Sequence, residues 1–457
     1  MSEKKIIGSY ADLAPNSAYE LVYEEYLGDI KTAGIILRHR KSGARVCLMA
    51  NDDENKMFCA AFKTPPSNST GVPHIIEHSV LNGSKNYPSR DPFMALAKSS
   101  LQTFLNAMTF PDKTIYPVAS CNDKDFRNLM HVYMDSVFYP NIYKSKFTFM
   151  QEGWHYELDS ADDELRINGV VYSEMKGAMS SPEGIIDDEI NLHLQPDTTY
   201  GVNSGGDPEV IPELSYEEFL NFHRTFYHPS NSYIFVYGNC DMDERLRFMD
   251  EEYLSNFDEI DFRPEIRPQP RWNSKEPRYC RSVYDGGESD DLEGKAFFAF
   301  NTMAGSSLDV LEKRACDVLS TVLVNSDFAP VKTALVNAGI GEDIYGGFSG
   351  HMLENTFSVI VKNAKEEDLG SFVDIVRDTL AKEVEKGINE KAIRAALNVA
   401  EFNFREANYG GFPKGLDYCI NMLQSWLYDD SAAFTYLHFL DDIEKLKGLI
   451  GTGYYED

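Results

Sequence analysis

The sequence contains no run of 18 apolar residues, and its first ten residues lack the apolar stretch of a signal peptide. We therefore expect neither a membrane span nor secretion. Its seven cysteines are scattered and form no CxxC pair, which favours buried free thiols in a reducing compartment over a disulfide framework or a cysteine zinc site. No glycine-rich phosphate loop is present either. These absences predict a cytoplasmic chain with free thiols.

Positive charge is scarce, since 43 Lys and Arg face 73 Asp and Glu, for a formal net charge of -30. Such a field repels nucleic acids and anionic lipid surfaces, so we expect neither as a partner. The acidity has two interpretations. It either keeps a large surface soluble or favours cationic substrates.

The length of 457 residues predicts two domains of roughly 200 residues each. Strand patterns at 33–39, 45–50 and 56–63 predict an antiparallel meander, and 91–105 has helical spacing. The stretch 256–277 is rich in Pro and charge, which is typical of a linker. We therefore predict a catalytic domain over 1–255 and a second domain over 278–457. Its strand and helix order faintly repeats that of the first, without a His and Glu cluster.

The segment GVPHIIEHSVLNG contains His74, Glu77 and His78 in the spacing H-x-x-E-H. Positions i, i+3 and i+4 of a helix share one face, so both imidazoles can reach one metal ion. The carboxylate of Glu77 points toward the same volume without needing to bind the metal. The pattern predicts a zinc site with a general base beside it. Two alternatives are a helix with solvated histidines and a pair of buried neutral histidines.

This segment, with SLQTFLNAMTFPDKTIYPVAS and GVVYSEMKGAM, resembles the presequence-protease branch of the pitrilysin (insulinase) metallopeptidase family. The resemblance implies an α+β fold of two related domains, each a mainly antiparallel sheet packed with helices. It also implies that Glu174, 96 residues after His78, is the third zinc ligand. Two histidines and one glutamate leave the fourth position of one zinc per chain open, as in catalytic sites.

The expected reaction is hydrolysis of short unfolded peptides by water activated at zinc, with Glu77 as general base. In similar peptidases an edge strand pairs with the substrate backbone. That strand corresponds here to Leu105, Asn106, Ala107, Met108 and Thr109. The side chain of Asn106 has two equally good interpretations: its amide holds the substrate backbone, or it caps a turn at the start of a strand.

Presequence proteases are roughly twice this length, and the resemblance covers only their first half. We therefore expect the chain to need the C-terminal half, or a homologous subunit, for full activity. An apolar face left by a missing half would favour self-association. The alternative function is a non-catalytic subunit that binds substrate for a two-part peptidase. Such partners typically lose metal residues, whereas this sequence has all four.

Overall fold

The computed structural model describes residues 6–89, 92–272, 278–286, 293–407 and 409–457, so the last part of the predicted linker, 273–277, lies outside them. The chain divides into two compact units. The first comprises Met1–Ala178, Val202–Ile266 and Tyr409–Leu423, and the second comprises Met179–Gly201, Arg267–Asn408 and Gln424–Asp457. The chain thus passes between the units inside the predicted linker, and two further segments cross the predicted boundary.

The first unit is built on a mixed sheet with the order β1-β2-β3-β10-β4-β7-β5, in which β6 also pairs with β7. Only the β3–β10 pair is parallel, and the other pairs are antiparallel. A separate two-stranded ribbon is formed by β8 and β9. The strands are β1 (Tyr19–Leu27), β2 (Thr32–His39), β3 (Arg45–Ala50), β4 (Lys56–Lys63), β5 (Gln102–Leu105), β6 (Met108–Thr109), β7 (Lys113–Ser120), β8 (His155–Glu157), β9 (Arg166–Asn168) and β10 (Ser232–Gly238).

The predicted opening meander is wrong in one respect, because β3 and β4 are not neighbours. Strand β10 lies between them, parallel to β3 and antiparallel to β4. All seven residues of β10 are buried. An apolar strand buried on both faces belongs in the middle of a sheet, and that position separates two strands that are close in sequence.

Helices cover this sheet and form one large core with it, which includes Phe58, Ile75, Tyr116, Val171 and Ile234. The helices of the first unit are α1 (Val72–Val80), α2 (Pro92–Ser99), α3 (Asp123–Phe138), α4 (Phe147–Glu152), α5 (Val170–Ala178), α7 (Tyr216–Phe226) and α8 (Met242–Glu252), and α6 (Pro182–Leu194) belongs to the second unit. The predicted helix over 91–105 ends at Ser99. Residues 102–105 form β5 instead, because pairing with β7 overrides the local helical spacing.

The second unit has a three-stranded antiparallel sheet of order β11-β13-β12 packed with helices. Its strands are β11 (Ala296–Ser306), β12 (Asp343–Ser349) and β13 (Glu354–Ala364). Its helices are α6, α9 (Val310–Ser320), α10 (Pro330–Ala338), α11 (Leu369–Lys386), α12 (Glu390–Glu406) and α14 (Phe439–Gly448), while α13 (Lys414–Trp426) begins in the first unit. The predicted α+β class, with mainly antiparallel sheets packed by helices, is confirmed.

In the described ranges, no helix combines the length and the apolar character needed to cross a membrane.

Candidate metal centre

Helix α1 begins where Gly71 adopts a left-handed conformation, and Pro73 occupies its first turn. The helix buries Ile75, Ile76 and Val80 in the core of the first unit. Because these residues fix the rotation of the helix, the opposite stripe carries the three residues of the H-x-x-E-H motif. The amphipathic pattern of one short helix therefore presents both imidazoles on the same side.

His74 and His78 converge on Glu174 of α5. The Nε2 atoms of His74 and His78 lie 3.9 and 3.8 Å from the same oxygen, Oε2 of Glu174. The possible ligand atoms of the three residues all lie within 4.8 Å of one another. The side chain of Glu174 is 56% exposed, so the space between the three possible ligands is open to solvent. The structure thus brings together the three residues that the sequence analysis selected as ligands.

The other ring nitrogen of each histidine faces an acceptor. Nδ1 of His74 donates to the carbonyl of Gly205 over 3.0 Å, and Nδ1 of His78 lies 3.4 Å from Oε2 of Glu152. A proton on Nδ1 leaves Nε2 with its lone pair, which is the form that binds a metal ion. In both histidines, the Nε2 atom that can bind a metal ion therefore faces Glu174.

Glu152, at the end of α4, is buried and was not predicted from the sequence. Its Oε1 accepts hydrogen bonds from Asn82 over 2.8 Å and Gln151 over 2.9 Å. Burial lowers the pKa of His78, but the hydrogen bond to Glu152 and the negative charges of nearby carboxylates outweigh it and raise the pKa overall. The same negative surroundings favour a bound cation.

The predicted general base, Glu77, is buried, and its Oε2 accepts a hydrogen bond from Oγ1 of Thr109 over 2.8 Å. Thr109 lies on β6, opposite Thr114 of β7. Thr109 was predicted only as a substrate-binding residue, so its contact with Glu77 was missed. One carboxylate oxygen of Glu77 is thereby held, while the side chain stays on the face of α1 that carries both histidines.

The predicted substrate segment, 105–109, spans a break between two short strands. Leu105 ends β5, while Met108 and Thr109 form β6. Within the described residues, β5 pairs with β7 alone and keeps one free edge. Asn106 donates its backbone N–H to Pro117 over 3.3 Å, and its carbonyl accepts from the hydroxyl of Tyr133 over 3.1 Å. Its exposed side chain is the part that can face a peptide, and Ala107 packs against the core.

The donor set fits zinc, because two imidazole nitrogens and one carboxylate oxygen are the ligands of catalytic zinc sites with an open fourth position. The carbonyl of Gly205 behind His74 and the buried carboxylate of Glu152 behind His78 supply the outer partners that histidine ligands usually have. His74, His78 and Glu174 would hold the ion, and Glu77 would stay free of it.

Two family models match the chain. The one described as "Insulinase (Peptidase family M16)" matches residues 64–182, and the one described as "Peptidase M16 inactive domain" matches residues 213–399. All four predicted metal-site residues lie in the first match, and none lies in the second.

Similar proteins agree with these matches. The chain is 48% identical over 442 residues to "Protein HypA" of Clostridium perfringens, covering 96% of this chain and 45% of that protein. It is 40% identical to "Presequence protease 1, chloroplastic/mitochondrial" of Arabidopsis thaliana, covering 95% of this chain and 40% of that protein. The crystal structure of pitrilysin has a similar fold, with a TM-score of 0.60 at 16% identity over 96% of this chain and 46% of that one. The chain thus spans less than half the length of these relatives.

Proposed function

Since the chain belongs to the insulinase family of peptidases, peptidase family M16, we propose that it is a zinc-dependent endopeptidase acting on short unfolded peptides. The observation that carries the proposal is the convergence of two imidazole Nε2 atoms on Oε2 of Glu174. Glu77, on the same helical face as both histidines, would serve as the base. One zinc ion per chain would bind to His74, His78 and Glu174.

When bound, zinc would lower the pKa of a water molecule and polarise the scissile carbonyl. Glu77 accepts the proton of the attacking water on its carboxylate and returns it to the leaving amine. Thr109 holds one oxygen of Glu77, so the other remains available for this transfer. The burial of Glu77 leaves little of its own surface in contact with bulk water, although the space between the ligands is open.

Peptide binding is proposed at the free edge of β5, with Leu105 at its end and the side chain of Asn106 beside it. An extended peptide that adds to a sheet edge is held mainly by its backbone, which tolerates many sequences. A folded protein does not offer a free extended segment of this kind. The substrate class that fits is therefore unfolded peptide.

The relatives are more than twice as long as this chain, so we propose that full activity needs a further part, either a C-terminal half or a homologous subunit. Self-association, a cytoplasmic location and the lack of nucleic-acid or membrane partners remain predictions from the sequence.

A second candidate is a non-catalytic subunit that binds peptide for a partner enzyme. It is favoured by the match of residues 213–399 to an inactive peptidase domain. The four metal-site residues lie outside that range, so the match describes another part of the chain. The catalytic proposal is therefore the better supported of the two.

The test combines zinc content by elemental analysis with hydrolysis of a fluorogenic peptide, for the wild type, Glu77→Gln and the control Glu189→Gln. Glu189 pairs with His193 over 2.9 Å on α6 of the second unit, so the control removes a carboxylate that faces a histidine outside the proposed ligand set. We expect one zinc per chain in all three and a loss of about 100-fold or more in kcat only in Glu77→Gln.

One zinc without any cleavage would support the need for a further part. A folded chain without zinc would refute the metal site, and cleavage that survives Glu77→Gln would refute the mechanism.

A further inference from the structure

The loop Asn203–Asp207, here called the clamp loop, lies against the start of α1. Asp207 N–H donates to the carbonyl of Ser69 over 2.8 Å, and Asn203 N–H donates to Oγ of Ser69 over 3.1 Å. Both ends of the loop are therefore tied to the residue that stands two positions before Gly71. The carbonyl of Gly205, between these ends, accepts the Nδ1 hydrogen of His74 over 3.0 Å.

This contact depends on a close approach of two backbones. Gly71 has φ of +67°, and a Cβ atom at this position would lie 2.6 Å from the carbonyl oxygen of Gly205 and 2.8 Å from Cα of Gly206. Both neighbours are backbone atoms, so they cannot turn aside as the end of a side chain can. Only glycine allows the loop to come this near to the helix that carries His74.

The clamp loop also touches the second ligand-bearing helix. A Cβ atom on Gly205 would lie 3.0 Å from both Sδ and Cε of Met175, the residue that follows Glu174 on α5. The same glycine thus accepts a hydrogen bond from one ligand and leaves room for the neighbour of another. Its contacts join α1 and α5, whose ligands are about a hundred residues apart in the chain.

The side chain of Asn203 holds the conformation of the clamp loop by hydrogen bonds within it. Its Oδ1 accepts the N–H groups of Gly205 over 2.9 Å and Gly206 over 3.1 Å. Two backbone donors fixed on one side-chain oxygen orient the peptide group whose carbonyl faces His74.

We propose that the clamp loop is a positioning element of the metal centre, which fixes the tautomer of His74 and the separation of α1 from α5. The inference rests on the proposed zinc function. Outer partners of metal-binding histidines typically change metal affinity by about 10–100-fold when they are removed. Gly71 and Asn203 are the residues through which the loop acts, and neither is one of the three proposed ligands.

The test is the zinc dissociation constant, measured by competition with a chromogenic chelator, so that no peptidase activity is needed. The variants are Gly71→Ala, Asn203→Ala and the conservative Asn203→Asp, which keeps an acceptor oxygen. The matched control is Gly339→Ala, because Gly339 also has φ of +71° but has no atom within 4 Å of an added Cβ, and it lies in the second unit.

We expect the dissociation constant to rise about 10–100-fold in Gly71→Ala and Asn203→Ala, and to stay within about threefold of the wild type in Asn203→Asp and Gly339→Ala. Thermal melting of the metal-free proteins separates a loss of zinc affinity from a loss of stability. Gly71→Ala and Gly339→Ala both place alanine at a left-handed φ, so both carry similar backbone strain. If Gly71→Ala does not fold, Asn203→Ala decides.

Unchanged zinc affinity in the folded Asn203→Ala protein would refute the proposed role of the clamp loop, and the proposed zinc site would still stand. A wild-type protein that binds no zinc would instead overturn the proposed function itself.

Discussion

The Glu152 carboxylate behind His78 gives the sharpest quantitative prediction for the metal centre. It is 5% exposed, and its two oxygens have separate partners, since Oε1 accepts from Asn82 and Gln151 while Oε2 faces Nδ1 of His78. The change Glu152→Gln keeps the shape and removes the charge. The amide oxygen of the new Gln would stay with the two donors, so its NH2 group would turn toward His78.

That reversal changes the tautomer of His78. An NH2 group facing Nδ1 needs a lone pair there, which moves the ring proton to Nε2, the atom that points at Glu174. Zinc binding must then reverse the tautomer and leave an amide N–H facing an N–H. Loss of such an outer partner lowers metal affinity by about 10–100-fold, or about 1.4–2.7 kcal/mol.

The assay is the zinc dissociation constant of the wild type, Glu152→Gln and Glu189→Gln. Glu189 also faces a histidine, at 2.9 Å, but its side chain is 31% exposed and that histidine, His193, is not a proposed ligand. We expect the tenfold or greater loss only in Glu152→Gln. A folded Glu152→Gln protein with the zinc affinity of the control would refute the argument from the tautomer.

Two further predictions concern the base and a buried histidine. Thr109→Val should lower kcat about 10–100-fold with KM nearly unchanged, because the carboxylate of Glu77 loses the hydrogen bond from the Thr109 hydroxyl, while Thr109→Ser should restore most activity. Thr452→Val, which removes a hydroxyl of the second unit that donates to the carbonyl of Leu449, is the control in peptide hydrolysis. Burial lowers the pKa of His223 to about 4, below its unfolded value of about 6.5. The unfolded chain therefore takes up the proton first as pH falls. In urea unfolding, the free energy of unfolding of the wild type should fall by about 2 kcal/mol between pH 7 and 5, and His223→Gln should not show this fall.

Features that depend on residue spacing within one helix or strand could be predicted from the sequence. Residues three and four positions apart on a helix must share a face, so the convergence of His74 and His78 follows from the motif once α1 is helical. The same holds for the strands at 45–50 and 56–63, whose apolar runs match β3 and β4. These predictions needed no knowledge of distant contacts.

The missed features all depend on contacts between residues far apart in the chain. The position of β10 between β3 and β4 joins segments almost 200 residues apart, and no local pattern reports it. Glu152 is one of 73 acidic residues and has no distinguishing neighbours in the sequence. Glu174 was found only through a resemblance, because a single helical glutamate is otherwise typical of an exposed surface. The Gly205-Gly206 pair was the one local signal for the clamp loop, since adjacent glycines often mark a close backbone approach.

The distribution of these contacts separates metal binding from catalysis. The three proposed ligands, Glu152, Thr109 and the clamp loop all lie in the first compact unit. Zinc affinity should therefore depend on residues of that unit alone, and the variants that change it can be compared without peptide. Peptide capture has less support within the unit, because β5 offers only four residues and the backbone of Asn106 is already hydrogen bonded. A short edge with so few free backbone groups binds a peptide weakly by itself, which is the physical reason to expect that a further part strengthens binding rather than completing the metal site.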